Sequence, residues 1–201
     1  MRLLVEDLAC IRGGRRLFHG LGFALGAGGA AVVTGPNGAG KSSLLRLIAG
    51  FLRPAAGRIA LEGGDDRTAG GSAHFVGHLD GVKSALSAFE NLEFTRALFG
   101  GGSDTTEAAL ARLGLAKLAS LPTRMFSAGQ KRRLALARLL VAKRPLWLLD
   151  EPLSALDSDG QETFAALAAE HLAGGGLIVA ATHAPLTIVR AQEIRLGGGG
   201  A

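Results

Sequence analysis

The run Gly35-Pro36-Asn37-Gly38-Ala39-Gly40-Lys41-Ser42 sets glycines, a lysine and a hydroxyl at the G-x4-G-K-[ST] spacing. Glycines there let backbone N–H groups wrap an anion, and a helix beginning at Lys41 adds the positive end of its dipole. Lys41 is spaced to reach terminal phosphates and the Ser42 hydroxyl to ligate Mg²⁺, with Ser43 counted beside them as a further phosphate contact. An ordinary glycine-rich turn needs neither the lysine nor the hydroxyl directly after its last glycine, so the pattern points to ATP or a related polyphosphate. A second cluster ends the apolar run Leu146-Trp147-Leu148-Leu149 with two acids, Asp150 and Glu151. Alone, such a pair reads as acids capping a turn before Pro152. Behind a phosphate loop, Asp150 is placed to hold Mg²⁺ through water, and Glu151 to orient or deprotonate an attacking water.

These groups need elements to carry them. Alternation over Arg2–Leu8 and Phe18–Leu25 predicts two early strands, and Ala30–Thr34 a short buried one that delivers the phosphate loop. Leu44, Leu45 and Ile48 mark a helix over Lys41–Ala49 that stops at Gly50, after which Gly57–Leu61 returns to strand. Ser84–Met125 reads as helical with a break at Gly100–Gly102, and Ala128–Val141 as a further helix ended by Lys143-Arg144-Pro145. Leu146–Asp150 and Leu177–Ala181 are apolar runs of the kind a parallel sheet buries on both faces, separated by a helix over Ser158–His171. The expected fold is α/β: a mostly parallel core sheet, an N-terminal antiparallel β part and a helical subdomain over residues 79–143.

At 201 residues and 48% hydrophobic content, the chain holds one domain with a full core. Glycine accounts for 31 residues, and the one low-complexity stretch is the Gly197–Gly200 tail. With 22 Lys+Arg against 17 Asp+Glu the net charge is +5, which favours an anionic partner without choosing among polyphosphate, nucleic acid and acidic lipid. The lone Cys10 excludes an internal disulfide and reads as packing. Arg15-Arg16 followed by the apolar run Leu17–Val33 imitates an export signal, but cleavage there would remove the strand that mounts the phosphate loop. Lys143, Arg144 and Asp150 interrupt the best candidate for a membrane span, so the expected location is cytoplasmic.

The phosphate loop, Phe126-Ser127-Ala128-Gly129-Gln130, Asp150-Glu151, Ser154-Ala155-Leu156-Asp157 and His183 occur in an order that resembles the ABC ATPase domain over nearly the whole chain. The segment Ser127–Gln130 is the discriminating one. The resemblance implies that Ser127, Ala128, Gly129 and Gln130 open a helix facing the γ-phosphate held by a second copy. It also places Asp157 at that dimer contact and His183 at the γ-phosphate near the attacking water. Physically, Ser127 can cap the helix, Ala128 and Gly129 leave N–H groups open, and Lys131, Arg132 and Arg133 add positive field.

Two departures narrow the resemblance: Ala128 stands where most members have glycine, and His78 where they have the glutamine of the Q-loop. Asn91 in Phe89-Glu90-Asn91-Leu92 sets that register. With Phe75-Val76-Gly77-His78, the short length and no C-terminal domain, the chain is similar to the ATP-binding subunits of cytochrome c maturation haem exporters. This implies an integral membrane partner, two ATPase copies per complex, peripheral placement on the cytoplasmic face of the inner membrane, and ATP hydrolysis used to release a haem-loaded chaperone. An imidazole is a poor Mg²⁺ ligand, so His78 is expected to act through water. His74 and His78 lie about 13 Å apart on a strand, too far to share a metal. Arg12 falls where the family stacks an aromatic ring on adenine, and guanidinium stacking is a weak substitute. No C-x-x-C-H motif is present and the five histidines are otherwise accounted for, so direct haem binding by this chain is not expected; nor is a nucleic-acid partner expected. Residues 79–124 carry no catalytic signature, and the resemblance makes them the groove for a membrane-subunit helix, with Phe89, Leu92 and Phe94 as either lining or core. Another small-molecule transporter is the competing reading; a DNA-repair or translation ATPase usually carries two such domains or long insertions, which 201 residues cannot hold, and a scaffold without turnover would not need Lys41, Asp150, Glu151 and His183 together.

Overall fold

The structure, a computed structural model, describes residues 1–63, 69–102, 104–183, 186, 188 and 190–197; Gly198–Gly200 of the glycine tail lie outside the described residues. Packing divides the chain into two compact units: Met1–Gly77 with Pro145–Pro152 and Ala168–Ala201, and His78–Arg144 with Leu153–Leu167.

In the first unit, β1 (Arg2–Arg12) and β2 (Arg15–Gly26) form a hairpin closed by Gly13-Gly14, with φ of 56° and 75°. A two-residue turn with both φ positive matches the strand twist, and only glycine enters it freely. β4 (Ala56–Glu62) pairs with the other edge of β1 to give an antiparallel sheet of order β2-β1-β4. The second sheet is parallel: β3 (Ala30–Thr34), β5 (Ala73–Val76), β6 (Leu146–Asp150), β7 (Leu177–Ala181) and β8 (Gln192–Arg195) in the order β5-β6-β7-β3-β8. Every residue of β6 and β7 is buried, as expected of parallel strands covered on both faces. α1 (Lys41–Ile48) packs on both of them. Leu44, Leu45 and Ile48, with Leu3, Leu8 and Leu146, join one core in which each buried large aliphatic side chain contributes about 1.5–3 kcal/mol. Cys10 lies in this core, where burial pushes its thiol pKa up.

The sheet order decides the chemistry. β7 lies between β3 and β6, with Ala181 paired to Val33 on one side and Asp150 on the other. Because the strands run parallel, the segments after β3, β6 and β7 emerge at one edge of the sheet, which is where ligands of open α/β sheets bind.

The second unit holds α2 (Ala88–Phe99), α3 (Thr106–Arg112) and α4 (Ala128–Val141), which pack on one another. The expected helicity over Ser84–Met125 is corrected here. Residues 84–87 are not helical, since Ser87 is extended and caps α2. Beyond Gly114, at φ 69°, only 3-10 turns form at Ala116–Leu118 and Thr123–Met125. The break after α2 falls at Gly100, as its glycines suggest; at Gly102 a side chain would strike the carbonyl of Leu140. α5 (Ser158–Ala173) is shared between the units.

Candidate functional site

The phosphate loop runs from the end of β3 into α1. A Cβ at Gly35, φ 136°, would collide with the Leu196 carbonyl, so glycine is required where the chain leaves the strand. Gly40, φ 104°, ends the loop as the N-cap of α1 with no side-chain cap, leaving the first N–H groups of the helix to an outside acceptor. Pro36, Asn37 and Gly38 are exposed. Lys41 is only 9% exposed, and its Nζ donates to the carbonyls of Gly35 (2.6 Å) and Pro36 (3.2 Å). The ammonium therefore lies folded along its own loop. Ala39, Ser42 and Ser43 are half-buried beside it.

Asp150 closes β6 and is 3% exposed. Glu151 follows at φ 51°, a left-handed conformation that costs a non-glycine residue about 1–3 kcal/mol. Its N–H donates to the Ala181 carbonyl at 2.8 Å, so the strained turn is anchored to β7. The carboxylate folds back over the end of that strand. Thr182 Oγ1 donates to Glu151 Oε2 at 3.1 Å, the His183 N–H approaches the same oxygen at 3.4 Å, and His183 Nδ1 lies 2.8 Å from Oε1. The Glu151 side chain is 16% exposed and that of His183 72%. A carboxylate beside an imidazole at the sheet edge, next to a buried aspartate, can take a proton from water and stabilise developing charge.

In the second unit, α4 begins with a complete capping box. Gln130 N donates to Ser127 Oγ (3.2 Å), and Ser127 N donates to Gln130 Oε1 (2.9 Å). Ala128 is exposed. Gly129 does need its missing side chain: a Cβ there would stand 2.7 Å from the Ala155 carbonyl. Ala155, at φ 61°, brings that carbonyl close, and Asp157 follows. The Arg133 guanidinium bonds Asp157 and, with the Gly160 N–H at 3.0 Å, holds its carboxyl below the usual range. The positive field expected from Arg132 and Arg133 is thereby corrected: Arg132 pairs with Asp80 at 3.0 Å and Arg133 with Asp157, so neither charge is free.

His78 is exposed beyond the end of β5, whereas His74 is buried within it. Asn91 is 6% exposed; its Nδ2 donates to the carbonyls of Lys83, Leu86 and Ser87 and its Oδ1 accepts from Lys83 N, tying down the segment before α2. Leu92 is core, Phe89 half-buried and Phe94 exposed. Arg12 is exposed at the end of β1, opposite Arg15. A cleft of about 540 Å³ beside Pro36–Ala39 is walled instead by Arg15, Arg16, His19 and Arg195, which sequence reasoning did not assign. The sequence signal for Arg15 and Arg16 is their doublet, which also imitates an export signal; no pattern in the sequence marks His19 or Arg195. None of the described helices is long and apolar enough to cross a membrane.

A parallel sheet that lines up a glycine-and-lysine loop, a buried aspartate and a Glu–His pair along one edge defines a P-loop nucleotide hydrolase. The ABC transporter family matches residues 18–154. The cytochrome c biogenesis ATP-binding export protein CcmA of Nitrobacter winogradskyi is 56% identical over 199 residues, covering 98% of this chain and 99% of that protein. That of Mesorhizobium japonicum is 54% identical over 202 residues, covering both chains fully (100% each). An ABC transporter ATP-binding protein of Pyrococcus furiosus superposes with a TM-score of 0.83 over 98% of each chain at 23% identity, a likeness of fold. The chain belongs to the ABC transporter family, as an ATP-binding, ATP-hydrolysing member of its cytochrome c biogenesis export branch.

Proposed function

We propose that this ATPase is the motor subunit of a membrane complex that handles haem for cytochrome c maturation, driving release of a haem-loaded chaperone. The observation that carries the hydrolytic part is the Glu151 carboxylate held by Thr182 and His183 at the sheet edge that also carries the phosphate loop. The names of the relatives support the cytochrome c part.

In this reading Gly35–Ser43 wrap the phosphates, and the Lys41 ammonium leaves its loop carbonyls to bind the terminal ones. Ser42 and Asp150 offer a hydroxyl and a carboxylate, hard oxygens of the kind that suit Mg²⁺, which when bound offsets phosphate charge. Glu151 takes the proton of the attacking water as the β–γ phosphate bond breaks to ADP and phosphate, and His183 donates toward the γ-phosphate oxygens. Arg12, with Arg15 and Arg16, faces the base. Ser127, Ala128, Gly129 and Gln130 meet the γ-phosphate of a second copy, with Asp157 at that contact and His78 acting through water. The two units work as one ATPase domain on the cytoplasmic face of the inner membrane, peripheral to an integral membrane subunit.

Co-purification with membrane partners, with ATP hydrolysis and chaperone release followed in wild type and Glu151→Gln, tests the proposal. Joint loss of hydrolysis and release is expected. Lost hydrolysis with release intact would keep the ATPase and discard the haem role, leaving another small-molecule transporter.

A further inference from the structure

The two oxygens of Glu151 are held by unlike anchors. Oε1 meets His183 Nδ1, on a side chain that is 72% exposed. Oε2 accepts from Thr182 Oγ1, on a residue only 3% exposed. The backbone around that hydroxyl is locked from both sides. Thr182 N donates to the Val33 carbonyl at 3.2 Å, on the strand that mounts the phosphate loop. Glu151 N donates to Ala181 at 2.8 Å, so the carboxylate and the hydroxyl hang from adjacent points of one hydrogen-bonded frame.

From this geometry we infer that Thr182 is a positioning residue for hydrolysis: its hydroxyl aims the Glu151 carboxylate by holding Oε2. The inference rests on the reading of Glu151 as the base. Glu151 stands on a strained left-handed turn, and a carboxylate there has several rotamers that point away from the sheet edge. A buried donor on a rigid frame selects one of them, whereas an exposed imidazole cannot. Reach of a base to its water matters on the scale of an ångström, so loss of aim costs turnover and leaves nucleotide binding alone.

The test compares Thr182→Val, which keeps the shape and removes the donor, with Thr182→Ser, which keeps the donor. Steady-state Mg-ATP hydrolysis by the full-length chain in its membrane complex yields kcat and KM, and a non-hydrolysable ATP analogue reports binding. For Thr182→Val, kcat falls about ten-fold or more, the scale of one hydrogen bond to a charged group, with KM and analogue affinity unchanged. Thr182→Ser restores most of the rate. Should the valine chain not fold, Thr182→Ser against Thr182→Ala makes the same comparison. An unchanged kcat without the hydroxyl, or kcat and KM moving together with serine no better than valine or alanine, overturns the inference. Wild-type turnover in Glu151→Gln overturns instead the reading on which it rests.

Discussion

The edge of the parallel sheet around Glu151 and the start of α4 at Ser127 each carry part of the proposed machinery, yet they are held in place by different means. At the sheet edge, strands buried at every position hold the frame, and polar groups hang from it in strained or collapsed conformations: Glu151 at φ 51°, Lys41 folded onto its own loop. The helix start is relaxed. Ser127 and Gln130 satisfy each other, Arg133 satisfies Asp157, and one glycine accommodates the Ala155 carbonyl. Strain persists only where surrounding structure over-determines it, and the proposed hydrolytic groups lie in the region with the stiffest support. A segment that recognises phosphate across an interface needs open N–H groups and little else.

Changes to the polar groups at the sheet edge should therefore alter function with little effect on folding, whereas crowding the packed start of α4 should cost stability as well. The largest effect is expected for Lys41→Ala, which weakens ATP binding about 100-fold or more in a fluorescent-nucleotide titration. Retained affinity would remove Lys41 from the phosphate site. Next is Gly129→Val: crowding of the Ala155 carbonyl lowers stability by about 1–3 kcal/mol, read as a drop of several degrees in melting temperature. An unchanged melting curve would mean that the Ala155 segment yields easily and that the contrast between the regions is overstated.

A smaller effect is expected at the opposite end of the sheet. His171 stacks on Trp147 with ring centroids 3.9 Å apart, and burial lowers its pKa, opposed by hydrogen bonds to the Leu177 and Pro145 carbonyls. A folded pKa below the unfolded one means the unfolded chain binds more protons, so this contribution is full above the ordinary histidine value of about 6.5 and is lost as pH falls through the folded value. Melting temperature should drop with acidification over that window in wild type and drop less in His171→Phe. Smallest is the Arg133–Asp157 pair. Its depressed carboxyl contributes above the ordinary aspartate range and fades as pH falls, but the Asp157 side chain is 66% exposed and screened by water, so Asp157→Asn leaves the melting temperature essentially unchanged.

The phosphate loop, the acids and the helix start were legible because each is a local device: glycines with a lysine, an apolar strand ending in acids, a serine three residues before a glutamine. β6 and β7 were legible as unbroken apolar runs. β8 was not, since at the sheet edge beside β3 only Ile194 of Gln192–Arg195 is buried and no period shows. Helicity over Ser84–Met125 was overread because apolar residues such as Leu115 pack from irregular backbone, where burial imitates helical spacing. Nor does sequence tell which cations are spent. Arg132 and Arg133 read like Lys131 until Asp80 and Asp157 are seen to claim them. The clasp on Glu151 joins residues 31 and 32 positions apart, and strand order, invisible locally, brings them together.

The most direct test of Glu151 as the hydrolytic base is a single-turnover experiment. Full-length Glu151→Gln in its membrane complex is loaded with Mg-ATP, and the bound nucleotide is recovered and identified. The structure predicts ATP recovered intact at wild-type occupancy, while the wild-type chain yields ADP and phosphate. ADP and phosphate formed by Glu151→Gln at the wild-type rate would contradict the account and move the base elsewhere.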